Sequence, residues 1–254
     1  MTKLVELTPG QHGELKVASD AALTVAKGQH LIGLKVTEVA QAITCFPVFF
    51  TRASVAGDWA ISAITGIELN NNLFIVDDAW DAIYQPTGMK TFPFYLMNSS
   101  RDENGYTIGI DENSKAFTED GKPIFDDKGK ASLMLSAVAA QLDEDVKNEV
   151  RSYKFCQEME KLGLMKAMDV LVHHVDESVT TLTGLHTVNE DKLQGLTEQE
   201  FENLRGLGYL APLYGMLMSM YQLNALIRRH NLVQGAKLVK QVTMEVSKDP
   251  NKRL

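Results

Sequence analysis

From residue 36 to residue 76 the chain alternates short apolar runs with turn residues. Val36, Val39, Ala40 and Ile43 recur at spacings of three and four, which predicts a short helix over 36–44 ending before Pro47. PVFFT (47–51) is β-branched and aromatic and predicts a buried strand. WAISAIT (59–65) follows the turn pair Gly57–Asp58, so the two strands are expected to form a hairpin. Asn70, Asn71 and Asn72 make a second turn, and LFIV (73–76) another strand. Before these, HGELKV (12–17) predicts a strand after a turn at Pro9–Gly10, and after them GYTIGI (105–110) alternates as a strand.

Near Ser132 the pattern changes to a helical period. Leu135, Val138, Leu142, Val146, Val150 and Tyr153 predict one apolar stripe on a long helix over 132–162, with Gly163 as its C-cap. Strands are expected over 169–174 and 179–185, around the acidic turn Asp176, Glu177, Ser178. Thr197 and Glu200 have capping-box spacing for a short helix, and another short helix opens at 189–191. Residues 207–227 contain no charged residue and predict a helix apolar almost all round, with Pro212 in its first turn. Such a helix is either a membrane span or the centre of a core. Ser219, Gln222 and Asn224 are costly in lipid and favour the core. Leu238, Val239, Val242 and Val246 suggest an amphipathic helix in the tail.

These elements predict an α+β protein, with an antiparallel sheet from the N-terminal half packed by helices of the C-terminal half around the buried 207–227 helix. One domain is expected over residues 1–230, β-rich to 130 and helix-rich after it, followed by a charged tail over 231–254.

Composition changes this picture little. Of the 254 residues 44% are hydrophobic and 23% charged, an ordinary globular balance. A net charge of −8 repels phosphates and argues against nucleic-acid binding. The N-terminal residues hold no secretory apolar run, so a cytoplasmic protein is expected, with export by a signal-less route left open. Cys45 and Cys156 form no C-x-x-C and read as reduced thiols.

Catalytic motifs are absent. There is no G-x-S-x-G, H-E-x-x-H, Walker loop or strand-anchored G-x-G-x-x-G. Asp111-x-Asn113 begins like a calcium loop and fails at Lys115 and Phe117. None of the six histidines has metal-motif spacing, so neither a metal nor a cofactor is expected. Scattered carboxylates leave acid–base catalysis open, because they carry no sequence signature.

Residues 77–97 are the chemically mixed stretch. Trp80, Asp81, Tyr84 and Lys90 are the candidate ligand- or partner-binding residues, joined by Asp111 and Glu112 if the 105–110 strand pairs beside 94–97. In a helical turn, Trp80 and Asp81 would each share a face with Tyr84. The competing structural reading is a sheet-edge mini-core in which Trp80 packs inward and Lys90 bridges Asp111 or Glu112.

The order of several segments resembles the SapC family of bacterial proteins. The segments are His12-Gly13-Glu14-Leu15, Phe46-Pro47-Val48-Phe49-Phe50, Trp80-Asp81-Ala82-x-Tyr84-x-Pro86 and Phe92-Pro93-Phe94. Asp120-Gly121-x-Pro123-Ile124-Phe125, Thr183-Gly184-Leu185, Val188-Asn189-Glu190 and Gly208-Tyr209-Leu210 follow. The resemblance spans about residues 10–228. Lys90 and Phe92 depart from the family's usual Arg and Tyr before Pro-Phe.

The resemblance implies association with a paracrystalline surface layer or with peptide and nutrient uptake, and brings no catalytic residues. The expected function is therefore a non-catalytic binding or assembly protein. Its expected partner is a protein, a peptide or a second copy of the chain, without insertion into a membrane. The alternative is an accessory enzyme acting with the oxygenase-like and halogenase-like proteins that the resemblance also implies as neighbours.

Overall fold

A computed structural model of the protein describes residues 4–52, 57–100 and 105–249. Helices and antiparallel strands mix as expected for an α+β chain. The chain folds as two compact units, Met1–Ala26 with Thr87–Asn148 and Lys27–Pro86 with Glu149–Leu254.

The second unit is built on a six-stranded antiparallel sheet. Its strand order is Val239–Val246, Met165–His174, Val179–Val188, Val48–Arg52, Trp59–Ile64 and Leu31–Leu34. The expected hairpin is present, with Phe50 opposite Ile61 and Val48 opposite Ala63. Val48, Phe49, Phe50 and Thr51 are all buried, so this central strand is covered on both faces. That explains its continuous apolar run. Thr51 and Ser62, its diagonal neighbour on the next strand, satisfy each other with a 2.8 Å hydroxyl bond.

Three of the six strands follow residue 132. One of them, Val239–Val246, lies where an amphipathic helix was expected. Val242 and Met244 sit opposite the buried Val172 and Val170, whereas Gln241, Thr243 and Glu245 take the other side. The alternation of Val242, Met244 and Val246, paired with Met165–His174, prevails over the helical spacing of Leu238, Val239, Val242 and Val246. The Asn231 side chain clamps the start of the strand, donating to the Val239 carbonyl and accepting from its N–H, both at 2.8 Å.

The 207–227 stretch is not one helix. Leu210–Ser219 and Gln222–Leu232 are separate helices joined at Met220 and Tyr221. The joint is tightened by i→i−3 bonds, from Met220 N–H to Leu217 O and from Tyr221 N–H to Met218 O. Burial is one-sided. Leu213, Met216, Ser219, Leu223, Leu226 and Ile227 face the core, while Ala211, Tyr214, Met218, Tyr221 and Ala225 are exposed. Ser219 fixes the helix to the sheet, as its hydroxyl accepts from Val48 N–H at 2.9 Å and donates to Met216 O at 2.6 Å.

The long helix runs Leu133–Lys161, close to expectation. The expected stripe holds only to Leu142. Val150 and Tyr153 are exposed, and Ser152, Phe155, Cys156 and Met159 are buried instead. The reason is that the helix serves two cores. Leu135, Val138 and Leu142 join Phe94, Ile110 and Ile124 in the first unit. Phe155, Cys156 and Met159 join the core of the second.

In the first unit, Val5–Glu6, Tyr106–Ile110 and Phe94–Asn98 form a three-stranded antiparallel sheet. The pairing of residues 105–110 beside 94–97 is as expected, with Phe94 opposite Ile110. Where a strand was expected over 12–17, one helical turn Pro9–His12 precedes the two-residue strand Lys16–Val17.

The acidic turn between Met165–His174 and Val179–Val188 yields a pH prediction. Asp176 accepts the Ser178 hydroxyl at 2.7 Å, Lys237 Nζ at 3.0 Å and the Ser178 N–H at 3.1 Å. These bonds hold its carboxyl down at about 2, from an ordinary 3.8. Because the folded value is depressed, the stabilisation is present above the ordinary value and is lost as pH falls toward 2. A carboxyl NMR titration is expected to place the Asp176 midpoint near 2; a midpoint at 3.8 would contradict the bonding.

Candidate functional site

The site starts from a tight hairpin. Ile75–Val76 pairs with Ala79–Trp80, and the two residues between them, Asp77 and Asp78, both have positive φ, at 49° and 59°. This is the geometry that two-residue hairpins prefer, and Asp tolerates it better than most residues. Asp81 N–H extends the ladder by donating to Phe74 O at 2.8 Å. Residues 81–86 are then irregular, not the helical turn expected.

The hairpin presents Trp80 to an aromatic cluster. Phe46 and Phe74 meet edge to face with centroids 4.6 Å apart, and Trp80 lies 6.0 Å from Phe46 and 6.1 Å from Phe74. The Trp80 indole N–H donates to Tyr84 O at 2.9 Å, closing the loop. The Tyr84 hydroxyl donates to the buried Glu38 carboxylate, whose second oxygen accepts from Lys35 N–H at 2.8 Å. Tyr84 thus braces the loop against the 36–38 turn.

Arg229, on the Gln222–Leu232 helix, completes the arrangement. Its guanidinium lies 4.3 Å over the Phe74 ring, Nη1 donates to Asp81 Oδ2 at 2.6 Å and Nη2 donates to Asp81 O at 2.9 Å. Stacking and a planar two-point contact are what arginine does and lysine does not. Beside this pair opens a groove of about 460 Å³, walled by Trp80, Asp81, Ile83, Gln222, Ala225 and Arg229. Gln222 is fixed by donating to the carbonyls of Ile43 and Thr44, both at 3.2 Å. Ile83 stands into solvent at 97% exposure.

Of the six residues expected to bind, Trp80, Asp81 and Tyr84 belong to the second unit, and Lys90, Asp111 and Glu112 to the first. Trp80 and Asp81 line the groove; Tyr84 supports it. Lys90 is exposed on the helix Thr87–Thr91. Asp111 Oδ1 accepts from Asn113 N–H at 3.0 Å, a local turn bond.

Glu112 is partnered by His12. Thr8 N–H donates to His12 Nδ1 at 3.0 Å, so the ring hydrogen sits on Nε2 and points to Glu112 Oε1 at 2.9 Å. With both ring nitrogens engaged, the buried His12 ties residues 8–12 to residue 112.

Sequence reasoning missed Arg229, Gln222 and Ile83. Arg229 reaches Asp81 across 148 positions, and no local pattern announces such a contact.

The first unit holds a larger groove, about 850 Å³, lined by Gly13, Glu14, Lys16, Glu119, Phe125 and Asp126 among others. Two of its polar side chains, Asp126 and Lys16, are engaged locally. Asp126 Oδ1 accepts from the N–H groups of Lys128 and Lys130 at 2.9 and 2.8 Å, and Lys16 Nζ donates to Glu119 O at 3.0 Å. The Trp80 groove has both an aromatic floor and a charged pair, the mixture that recognition sites use. Among the described residues, no group of three or more His, Cys, Asp or Glu is arranged to hold a metal.

The two cysteines differ sharply. Cys45 is partly exposed at the edge of the Trp80 groove, and Cys156 is buried. Burial, and then Glu160, push the Cys156 thiol up to about 12. A thiol reagent at neutral pH is expected to modify Cys45 and to reach Cys156 only after unfolding. Two equally fast thiols in the native protein would contradict this.

Among the described residues, no helix is long and apolar enough to cross a membrane. Neither a curated protein nor a solved structure matches the chain. A family model does, over residues 7–226, a span that takes in Trp80, Asp81, Tyr84, Gln222 and the first turn of the Gln222–Leu232 helix. The chain therefore belongs to the SapC family.

Proposed function

We propose that this SapC-family protein is a non-catalytic binding protein that takes a peptide segment of a protein partner in the Trp80 groove, in the service of a surface layer or of peptide uptake. The observation that carries the reading is the groove itself. Trp80, Ile83 and Ala225 offer apolar contact, and Arg229, held flat on Phe74 by Asp81, keeps further N–H donors for a carboxylate or carbonyl. An apolar side chain next to an acidic one is the peptide chemistry that suits these walls.

The test is selection from a random displayed-peptide library on the wild-type chain and on Ile83→Asp. Ile83 is almost fully exposed, so the substitution should leave the melting temperature unchanged while placing a charge on the apolar wall. We expect a consensus with an apolar residue beside an acidic one, binding at least roughly tenfold more weakly to the variant, about 1.4 kcal/mol. No consensus on wild type, or the same consensus bound equally by Ile83→Asp, would overturn the reading.

A further inference from the structure

The uncharged stretch 207–227 buries one side only, and the other side has its own pattern. Ala211, Tyr214, Met218 and Tyr221 follow one another at steps of three, four and three. Every one of them is exposed, the large ones by 43% (Tyr214), 62% (Met218) and 76% (Tyr221). Steps of three and four define the seam along which two helices pack knobs into holes. Single exposed apolar residues need no explanation, but a continuous stripe along the Leu210–Ser219 helix and the joint after it does.

We propose that this seam is the interface of a homodimer, in which a second copy of the chain packs its own seam antiparallel about a two-fold axis.

Three observations select a second copy as the occupant. First, no charge lies between Leu207 and Ile227. Two copies with a net charge of −8 each can therefore approach along this face without placing like charges opposite one another. A partner recognised by charge would find nothing to recognise here.

Second, the seam is complementary to itself. An antiparallel register that sets Met218 against Tyr214 of the second copy also sets Tyr221 against Ala211 of the second copy. By symmetry each pairing occurs twice. Large side chains then meet smaller ones, and a thioether meets an aromatic ring, a favourable contact. Third, Met218 and Tyr221 are more than half exposed, so pairing with a second copy removes this apolar surface from water on both partners at once.

This inference does not depend on the groove at Trp80. Tyr214 and Met218 do not line that groove, so substitutions there separate the two ideas.

The experiment is size-exclusion chromatography with light scattering on the full chain at tens of micromolar, for wild type, Met218→Glu and Tyr214→Lys. Wild type is expected at twice the 28.2 kDa chain mass. Either variant is expected at the single-chain mass, with an unchanged circular-dichroism spectrum and unchanged enrichment of displayed peptides. A wild-type chain that stays at 28.2 kDa overturns the proposal, whether or not it instead binds lipid vesicles or another protein. So does a dimer that survives both substitutions.

Discussion

Leu213→Glu is expected to abolish the cooperative unfolding transition of the six-stranded unit, whereas Met218→Glu, five residues further along the same helix, leaves the melting temperature of the monomer within a few degrees. Leu213 is fully buried, on the face of Leu210–Ser219 that packs against Val48–Arg52 and Val179–Val188. A carboxylate there has no partner and no water, and its burial costs at least several kcal/mol. A domain is stable by about 5–15 kcal/mol in total, so one such charge removes most of the margin. Met218 already lies in solvent, and a charge there loses no packing. Far-UV circular dichroism with a thermal melt reads both. A Leu213→Glu protein that melts cooperatively near the wild-type temperature would contradict the one-sided burial of this helix.

Phe155→Ala is expected to cost about 3–5 kcal/mol, the range for truncating a buried aromatic side chain. Phe155 stacks on Phe50 with centroids 5.8 Å apart and meets Tyr209 edge-on at 5.0 Å. Removing the ring leaves a cavity between the long helix, the central strand and Tyr209. For a chain of this size the melting temperature should fall by roughly 10 °C. Tyr153→Ala is the contrasting variant. Tyr153 belongs to the stripe that helical spacing predicts, yet it is exposed, so the change should stay within about 0.5 kcal/mol. Urea denaturation of both proteins decides which face of the helix is the core face.

That pair of residues shows what the sequence could and could not convey. A helical period sustained over six positions marked this helix, and the expected span placed Leu133–Lys161 within a residue at each end. It could not show that the helix serves two cores, because the positions needed by the second core lie off the first stripe. The Val48–Arg52 and Trp59–Ile64 hairpin was legible because turn and strand signals are local. The strand Val239–Val246 was not, because Val242 and Val246, four apart, fit either period and the deciding contact, Val242 opposite Val172, is long-range. The 21 uncharged residues over 207–227 look like a helix buried all round. The tightened joint at Met220–Tyr221 and the solvent on one side depend on the sheet beneath.

At the site, Trp80 and Asp81 were legible as a mixture of aromatic and acidic chemistry. Arg229 was not, since its partner is a residue in another element far along the chain. The pairing of Glu112 with His12 likewise joins two turns that share no sequence pattern.

The most direct measurement of the central claim is hydrogen–deuterium exchange of the wild-type chain with and without a peptide taken from the display selection. The binding account predicts slowed exchange confined to residues 79–84 and 222–229, the two walls of the Trp80 groove. Protection at residues 9–16 and 119–129 instead, around the larger groove of the first unit, would place recognition elsewhere and contradict it.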